Sequence, residues 1–480
     1  HGDTESFTKV RLLKRIKTGT YNMCEKKSLS LSEKRKKLAE QKKLKKAKRQ
    51  NFKANNPSQD QLNNLLGHYQ TGRLSDAENL ATSITQEFPH HVFAWKVLGA
   101  VLGKTGRKSE AVVADQTAVA LSPQDADAHY NLGVTLQELG RFDEAEASYT
   151  QAMILEPDLA EAHNNLGNML KDLGRLEEAE ASYTQAIVLE PDLAEAHCNL
   201  GYALLELGRL EEAEASYVKA IALKPDYSEA HNRLLQCLYL LDKKSVFFDE
   251  LDYLINQDIA NAVIGSLTYR SALKYGLERP NLFCREPLKY VLHSDLAAQY
   301  DFEEIFVEKA KSLLNESRIS NRKQSLLVNG YQTSGNLFEI QNEFTNKIQE
   351  TIRIEIERYR LNFKNSEEGF IRKWPTEYSL YGWLISMKSG GELQPHIHNQ
   401  GWLSGSIYIN IPRKLKGDSG KFVVSVGEEK DAMNTGMNMK KIVNVVTGSL
   451  ILFPASLTHY TIPFESEEER IVLAFDVKQK

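Results

Sequence analysis

From about Ser58 to Pro225 the chain repeats one pattern of small, apolar and breaking residues every 34 positions. Prolines stand at Pro89, Pro123, Pro157, Pro191 and Pro225. Glycines keep step at Gly72, Gly106, Gly140, Gly174 and Gly208, and again at Gly99, Gly133, Gly167 and Gly201. Within one unit, Leu132, Gly133 and Leu136 share a helical face, and the glycine permits close helix contact. Gly140 breaks the chain, Ala145, Tyr149 and Ala152 return at helical spacing, and Pro157 ends the unit because proline cannot continue a helix. The pattern predicts five helix pairs over about 57–225. A sixth, degenerate pair, Glu229 to Leu241 and Phe247 to Leu254, is expected to cap the stack, since solenoid ends need a modified unit.

Beyond residue 257 the periodicity changes. Residues 258–337 mix short apolar and aromatic pieces such as Tyr290-Val291-Leu292, broken at Pro280 and Pro287, and read as a helical connector. Ile340, Phe344, Ile348, Ile352 and Ile356 recur every four residues and predict an amphipathic helix of about five turns, whose stripe needs a sheet to cover. The period then drops to two. Residues 378–387 read as a strand and Ser389-Gly390-Gly391 as a turn. Leu403, Gly405, Ile407, Ile409 and Ile411 alternate with Ser404, Ser406, Tyr408 and Asn410. Further strands are expected over 421–426, 441–446, 449–453, 459–462 and 470–477. Many short strands behind a long helix predict a double-sheet jelly roll, which brings a strand near 396 beside one near 459.

A fixed 34-residue period of paired helices is the signature of tetratricopeptide repeats. The expected fold is thus an all-α tetratricopeptide-repeat solenoid, then an all-β double-stranded β-helix (jelly roll, cupin-like) with supporting helices. Its expected divisions are a basic, disordered segment over 1–56, repeats over 57–257, the connector over 258–337 and the roll over 338–480.

Composition narrows the class. At 480 residues there is room for two or three domains. A hydrophobic share of 41% with 26% charged residues is that of a soluble globular protein. No apolar run nears the roughly 18 residues of a membrane span, and no secretory signal is visible. Cys24, Cys198, Cys237 and Cys284 are scattered, so a reduced, cytoplasmic protein without a disulfide frame or structural zinc is expected. The net charge of -4 hides an asymmetry: Lys34 to Arg49 holds ten basic residues and one acid, whereas Ala126 to Pro225 holds 19 acidic and 6 basic residues. The basic run lacks interleaved aromatics and an apolar face, so it reads as a solvated tail, and neither nucleic acid nor a membrane is expected as a partner. The chain begins with His1, and Met23 is followed by Cys24-Glu25-Lys26-Lys27 and a Ser/Lys tail. Residues 1–22 are accordingly expected to be upstream translation or a fragment boundary without functional weight.

Two columns of the repeats bear on binding. His129, His163, His197 and His231 recur at the same step and read as a ladder of packing positions. Asn131, Asn165 and Asn199 lie in AHYNLG, AHNNLG and AHCNLG, which resemble the repeats of O-linked N-acetylglucosamine transferase. That resemblance implies an asparagine ladder gripping the backbone of a bound polypeptide, for which an amide offers donor and acceptor. The alternative is that these amides bridge neighbouring helices. Arg233 ends the column.

The candidate chemistry lies near the C-terminus, in Gln394-Pro395-His396-Ile397-His398-Asn399, in Phe453 to His459 and in Glu469-Arg470. Residues i and i+2 of a strand project to one side, so His396 and His398 can reach one ion, and His459 from a distant strand can close the site. Three ligands on one face leave the other positions for substrate and oxygen, and Arg470 suits a carboxylate.

The last hundred or so residues resemble the 2-oxoglutarate/Fe(II)-dependent oxygenases related to prolyl hydroxylases, above all those with tetratricopeptide repeats in front. The matching pieces are PHIH followed by WLSGSIYINIP, then GSLILFPASLTHYTIPF, then EERIVLAF. The resemblance implies that His396 and His459 hold Fe(II). It also implies that Arg470, eleven residues after His459, clamps the far carboxylate of 2-oxoglutarate through paired hydrogen bonds. Tyr381 is a further candidate contact for that co-substrate, and ascorbate an accessory. The sequence departs from the wider superfamily's His-x-Asp or His-x-Glu in having His396-Ile397-His398, a form associated with one subgroup. His398 is then a third ligand, leaving one more unit of positive charge on the site, or it stands behind a water. The implied activity is a dioxygenase that hydroxylates a protein or peptide presented by the repeats. The alternatives are a binding scaffold with an inactive roll, or a three-histidine cupin dioxygenase with no need of Arg470.

Overall fold

The structure is a computed structural model that describes residues 56–315, 321–322, 326–333, 335–340, 343–413, 417–427 and 439–480. The basic run, Met23 and Cys24 lie outside the described residues. The chain divides into two compact units, His1–Asn199 and Leu200–Lys480.

The described part of the first unit is helical. Hairpins are formed by α1 (Gln59–Gln70) with α2 (Leu74–Glu87), α3 (Val92–Lys104) with α4 (Lys108–Leu121), α5 (Ala126–Glu138) with α6 (Phe142–Leu155), and α7 (Ala160–Asp172) with α8 (Leu176–Leu189). The unit boundary falls within α9 (Ala194–Glu206). One hairpin shows why the period recurs. Leu132 and Leu136 of α5 pack with Ala145 and Tyr149 of α6. A Cβ at Gly133 would stand 2.8 Å from the Tyr149 ring, closer than packing allows. Gly140 takes the break between the helices at φ +75, a left-handed conformation that favours glycine. The histidine column also has a structural partner, because the Nε2–H of His129 donates to the Pro123 carbonyl (3.1 Å) and that of His197 to Pro191 (3.0 Å). These two imidazoles fasten the start of their own hairpins to the proline that ended the one before.

The second unit continues with α10 (Leu210–Leu223), α11 (Ser228–Leu240), α12 (Lys244–Asn256) and α13 (Ala262–Tyr275). The degenerate pair forms two helices of 13 residues each. The strands are β1 (Leu292–Asp295), β2 (Asn321–Arg322), β3 (Leu327–Thr333), β4 (Tyr378–His396), β5 (Leu403–Asn410), β6 (Phe422–Ser425), β7 (Lys440–Val443), β8 (Ser449–Pro454), β9 (Thr458–Phe464) and β10 (Arg470–Gln479). They pair in the order β1-β8-β5-β10-β4-β9-β6-β7, with β3 on β4 as well. All pairings are antiparallel. The sheet curls because β4 serves two neighbours, β10 along residues 378–387 and β9 from Gly391 to His396.

The structure departs from the sequence pattern at two places. Residues 389–391 lie inside the single strand β4, where its register against β3 shifts between Met387 and Glu392, with Gly390 at φ +72, and are not a chain-reversing turn. The stretch 258–337 is not a purely helical connector, since it supplies β1 to the edge of β8 (Leu292 opposite Leu452) and β3 to β4 (Leu327 opposite Leu393). An open sheet edge satisfies the backbone groups of a segment whose own side chains do not commit it to a helix.

The amphipathic helix is α15 (Glu343–Asn362), after α14 (Glu308–Asn315). Ile348, Ile352 and Ile356 are buried, while Ile340 precedes the helix and is 38% exposed. These isoleucines join Ile471, Leu473, Phe475 and Val477 of β10 and Leu403, Ile407 and Ile409 of β5 in one core. Each such side chain stabilises the fold by about 1.5–3 kcal/mol. The alternate residues of the same strands, Arg470, Val472, Ala474 and Asp476 together with Ser404, Ser406 and Tyr408, face the inside of the roll.

Candidate metal centre

His396, at the end of β4, lies directly opposite His459 on β9. His398 follows two residues later. The Nε2 atoms of His396 and His398 are 3.2 Å apart, and the ring of His459 lies 4.3 Å from that of His396 and 4.6 Å from that of His398. Ligand atoms of all three lie within 4.8 Å of one another, and among the described residues this is the only cluster of its kind. Two nitrogens bound at ~2.1 Å and at right angles stand ~3.0 Å apart, so the spacing suits one ion.

The orientation of each ring suits it too. His396 Nδ1–H donates to the Gln394 carbonyl (2.8 Å), His459 Nδ1–H to the Leu457 carbonyl (3.3 Å), and His398 Nδ1–H to Asp476 Oδ1 (2.5 Å). With Nδ1 protonated and held, each Nε2 lone pair is left for a common point. Burial, with the neighbouring imidazoles adding to it, pushes His459 well below the usual histidine range. Burial, then the charge of His398, lowers His396 to about 4. Both are therefore neutral near pH 7, the form that binds metal. Phe453 (4.9 Å) and Phe422 (5.8 Å) wall the site beside His459, and Trp383 packs on His398 (5.4 Å).

Arg470 begins β10 and is fully buried. Its Nη1 donates to the Gly420 carbonyl, and its guanidinium carbon lies 5.2 Å from the Tyr408 ring. Nε and Nη2 meet no hydrogen-bond partner among the described residues. Burial lowers its pKa from the ordinary value. A buried cation without an anion costs several kcal/mol, so this edge of the guanidinium suits a carboxylate brought in from outside, bound through both nitrogens. Tyr408 and Phe422 (6.2 Å), then Phe422 and His459, link Arg470 to the histidines through two rings.

Tyr381 is placed elsewhere. It lies opposite Asp476, whereas Met387 lies opposite Arg470. Six positions of strand separate the two, about 20 Å, so a carboxylate held at Arg470 is beyond its reach. Tyr381 instead carries Lys478 Nζ over its ring (4.1 Å) and flanks Trp383 (6.0 Å). On the same side, Lys478 Nζ donates to Gln400 Oε1 (3.2 Å), and Gln236 Nε2 of α11 donates to Asn399 Oδ1 (3.2 Å). The last repeat thus borders the loop that follows His398.

Asp476, Ser404, Tyr408 and Trp383 also line this centre, and no ligand-binding motif of the sequence marks them. The available signal was the two-residue alternation, since Asp476 shares a strand face with Arg470 and Tyr408 stands on the polar side of β5. In the repeats, Asn165 Nδ2 donates to the Tyr130 hydroxyl (2.8 Å) and Asn199 Nδ2 to Asn164 Oδ1 (3.0 Å). Asn165 is buried, and Asn131 and Asn199 are half-buried.

No helix among the described residues is long and apolar enough to cross a membrane. Comparison with curated proteins finds no match. Structures similar over part of the chain include PilF of Pseudomonas aeruginosa, 24% identical, covering 38% of this chain and 82% of that one at a TM-score of 0.35. Another is a tetratricopeptide repeat protein of Parabacteroides merdae, 16% identical, covering 45% and 85% at 0.38. A third is YrrB, described as a TPR protein with an unusual peptide-binding site, 22% identical, covering 36% and 90% at 0.31. Tetratricopeptide-repeat models match residues 99–140, 124–187, 167–208 and 194–227. Residues 381–476, which hold all three histidines and Arg470, match the family model described as "Putative 2OG-Fe(II) oxygenase". The chain therefore carries a domain of the 2-oxoglutarate/Fe(II) oxygenase type behind tetratricopeptide repeats.

Proposed function

We propose that this chain is an Fe(II)- and 2-oxoglutarate-dependent dioxygenase that hydroxylates a protein or peptide carried by its repeats. The reading rests on one pairing: three imidazoles whose ligand atoms cluster, with a buried guanidinium two rings away that meets no anion among the described residues. Iron with 2-oxoglutarate and dioxygen supplies C–H hydroxylation, the keto acid leaving as succinate and carbon dioxide. His396, His398 and His459 hold the metal through Nε2. Arg470 would receive the far carboxylate and so orient the co-substrate. Phe422, Phe453 and Trp383 exclude water, which strengthens the charged contacts inside. The polypeptide lies on the repeats, and the bond from Gln236 of α11 to Asn399 keeps the last repeat beside the loop after His398. Cys198, Cys237 and Cys284 are buried and in the thiol form, which suits a reducing compartment, and we place the protein in the cytoplasm.

A three-histidine cupin chemistry without 2-oxoglutarate gives Arg470 no task, and an inactive scaffold gives no reason for the aligned Nε2 atoms. The test is succinate formation from 2-oxoglutarate by protein loaded anaerobically with Fe(II), in wild type, His459→Ala and Arg470→Ala. Turnover is expected to vanish in the first variant, and the second is expected to need far more 2-oxoglutarate. Succinate formation retained in His459→Ala would remove the iron assignment. The substrate follows from a screen for 2-oxoglutarate-dependent gain of one oxygen on proteins captured by the repeats.

A further inference from the structure

The three imidazoles are not held alike. His396 and His459 donate Nδ1–H to backbone carbonyls, but His398 donates to the carboxylate of Asp476 at 2.5 Å. Asp476 is 5% exposed. Its Oδ1 also accepts the Ser404 hydroxyl (2.7 Å) from the strand paired beside it. The loop after His398 rests on the same group, since a Cβ at Gly401 would stand 3.2 Å from that oxygen. A buried carboxylate is costly unless it has a charged or strongly polarised partner, and the partner here is the imidazole that departs from the His-x-Asp pattern.

We propose that Asp476 is a positioning residue for the metal, supplying from behind His398 the negative charge that a coordinating aspartate would supply directly. The inference rests on the metal reading above. A carboxylate behind an imidazole fixes its tautomer and raises its basicity as a ligand. Three neutral ligands leave the ion's full double charge on the site, and Asp476 cancels one unit of it without occupying a coordination position. The charge therefore sits one hydrogen bond outside the ligand set, and moving it inward makes Asp476 superfluous. In His398→Asp the new carboxylate and Asp476 are like charges in one buried place, and they repel.

That reversal is the test. Co(II) is titrated into the full-length, metal-free protein and followed by tryptophan emission, with Trp383 5.4 Å from His398. The variants are Asp476→Asn, His398→Asp and the double variant, with metal-free thermal melts as a check of folding. Asp476→Asn is expected to weaken Co(II) binding by ~10–100-fold in the wild-type background and to strengthen it in the His398→Asp background. Asp476→Glu, which keeps the charge, is expected to recover part of the loss. Weakening in both backgrounds would mean that Asp476 only supports the fold, and no change in the wild-type background would mean that it supplies nothing to the metal; either result overturns the inference. Should Asp476→Asn alone not fold, the sign of the change in the His398→Asp background still decides. Wild-type protein that binds no Co(II) would remove the metal reading itself, and this role with it.

Discussion

Arg470 is a residue whose burial works against the folded chain and for a ligand. A guanidinium with two nitrogens unpartnered among the described residues is destabilising by several kcal/mol until an anion arrives. Arg470→Met, similar in length and without charge, is therefore expected to raise the melting temperature of the metal-free protein. The same variant should lose the further rise that metal with 2-oxoglutarate gives to wild type, since a ligand stabilises only the state it binds. Thermal melts with and without 2-oxoglutarate check both halves. A lowered melting temperature without ligand would mean that the bond to the Gly420 carbonyl matters more than the missing anion.

In the repeat hairpins, one pair of positions sets how closely two helices approach. Tyr183 lies on Gly167 and Tyr217 on Gly201, as Tyr149 does on Gly133. One period earlier the same slot, against Gly99, holds Asp115. This carboxylate is 1% exposed; Oδ2 accepts the Thr135 hydroxyl (2.7 Å), and Oδ1 has no hydrogen-bond partner among the described residues. Burial pushes its pKa up to about 7, against which the Thr135 bond acts weakly. A raised carboxyl pKa means that the folded state holds a proton the unfolded chain has already released. The associated stability is complete below about pH 4 and is lost as pH rises through about 7. Asp115→Asn removes that titration. Its advantage over wild type should be small near pH 4, grow towards pH 7 and level off above, reaching on the order of a few kcal/mol. Urea unfolding at pH 5 and pH 8 measures it, and equal differences at the two pH values would contradict the assignment of the proton to Asp115.

For the molecule as a whole, the proposed division of labour makes binding by the repeats separable from their stability. Among the described residues, Asn131 contributes no amide bond of the kind that Asn165 and Asn199 make to Tyr130 and Asn164. Asn131→Ala is thus expected to weaken a captured polypeptide by about fivefold, one hydrogen bond of ~1 kcal/mol, at an unchanged melting temperature. Asn165→Ala should lower stability by ~1 kcal/mol as well. Binding by calorimetry beside thermal melts of both variants separates the roles. Undiminished binding in Asn131→Ala would leave the asparagine column with helix bridging alone.

The repeats were legible in the chain because each hairpin meets only its neighbours, so every contact recurs at the same short step and leaves a period of prolines, glycines and apolar residues. The histidines and Arg470 were legible as a motif, since strand alternation places His396 and His398 on one side. What closes the centre was not. Asp476 reaches His398 across 78 residues, and β1 finds Leu452 from Leu292. Tyr381 falls opposite Asp476 rather than beside Arg470. Such pairings depend on sheet register and curl, which arise when distant strands satisfy one another's backbone groups, and no local spacing records them.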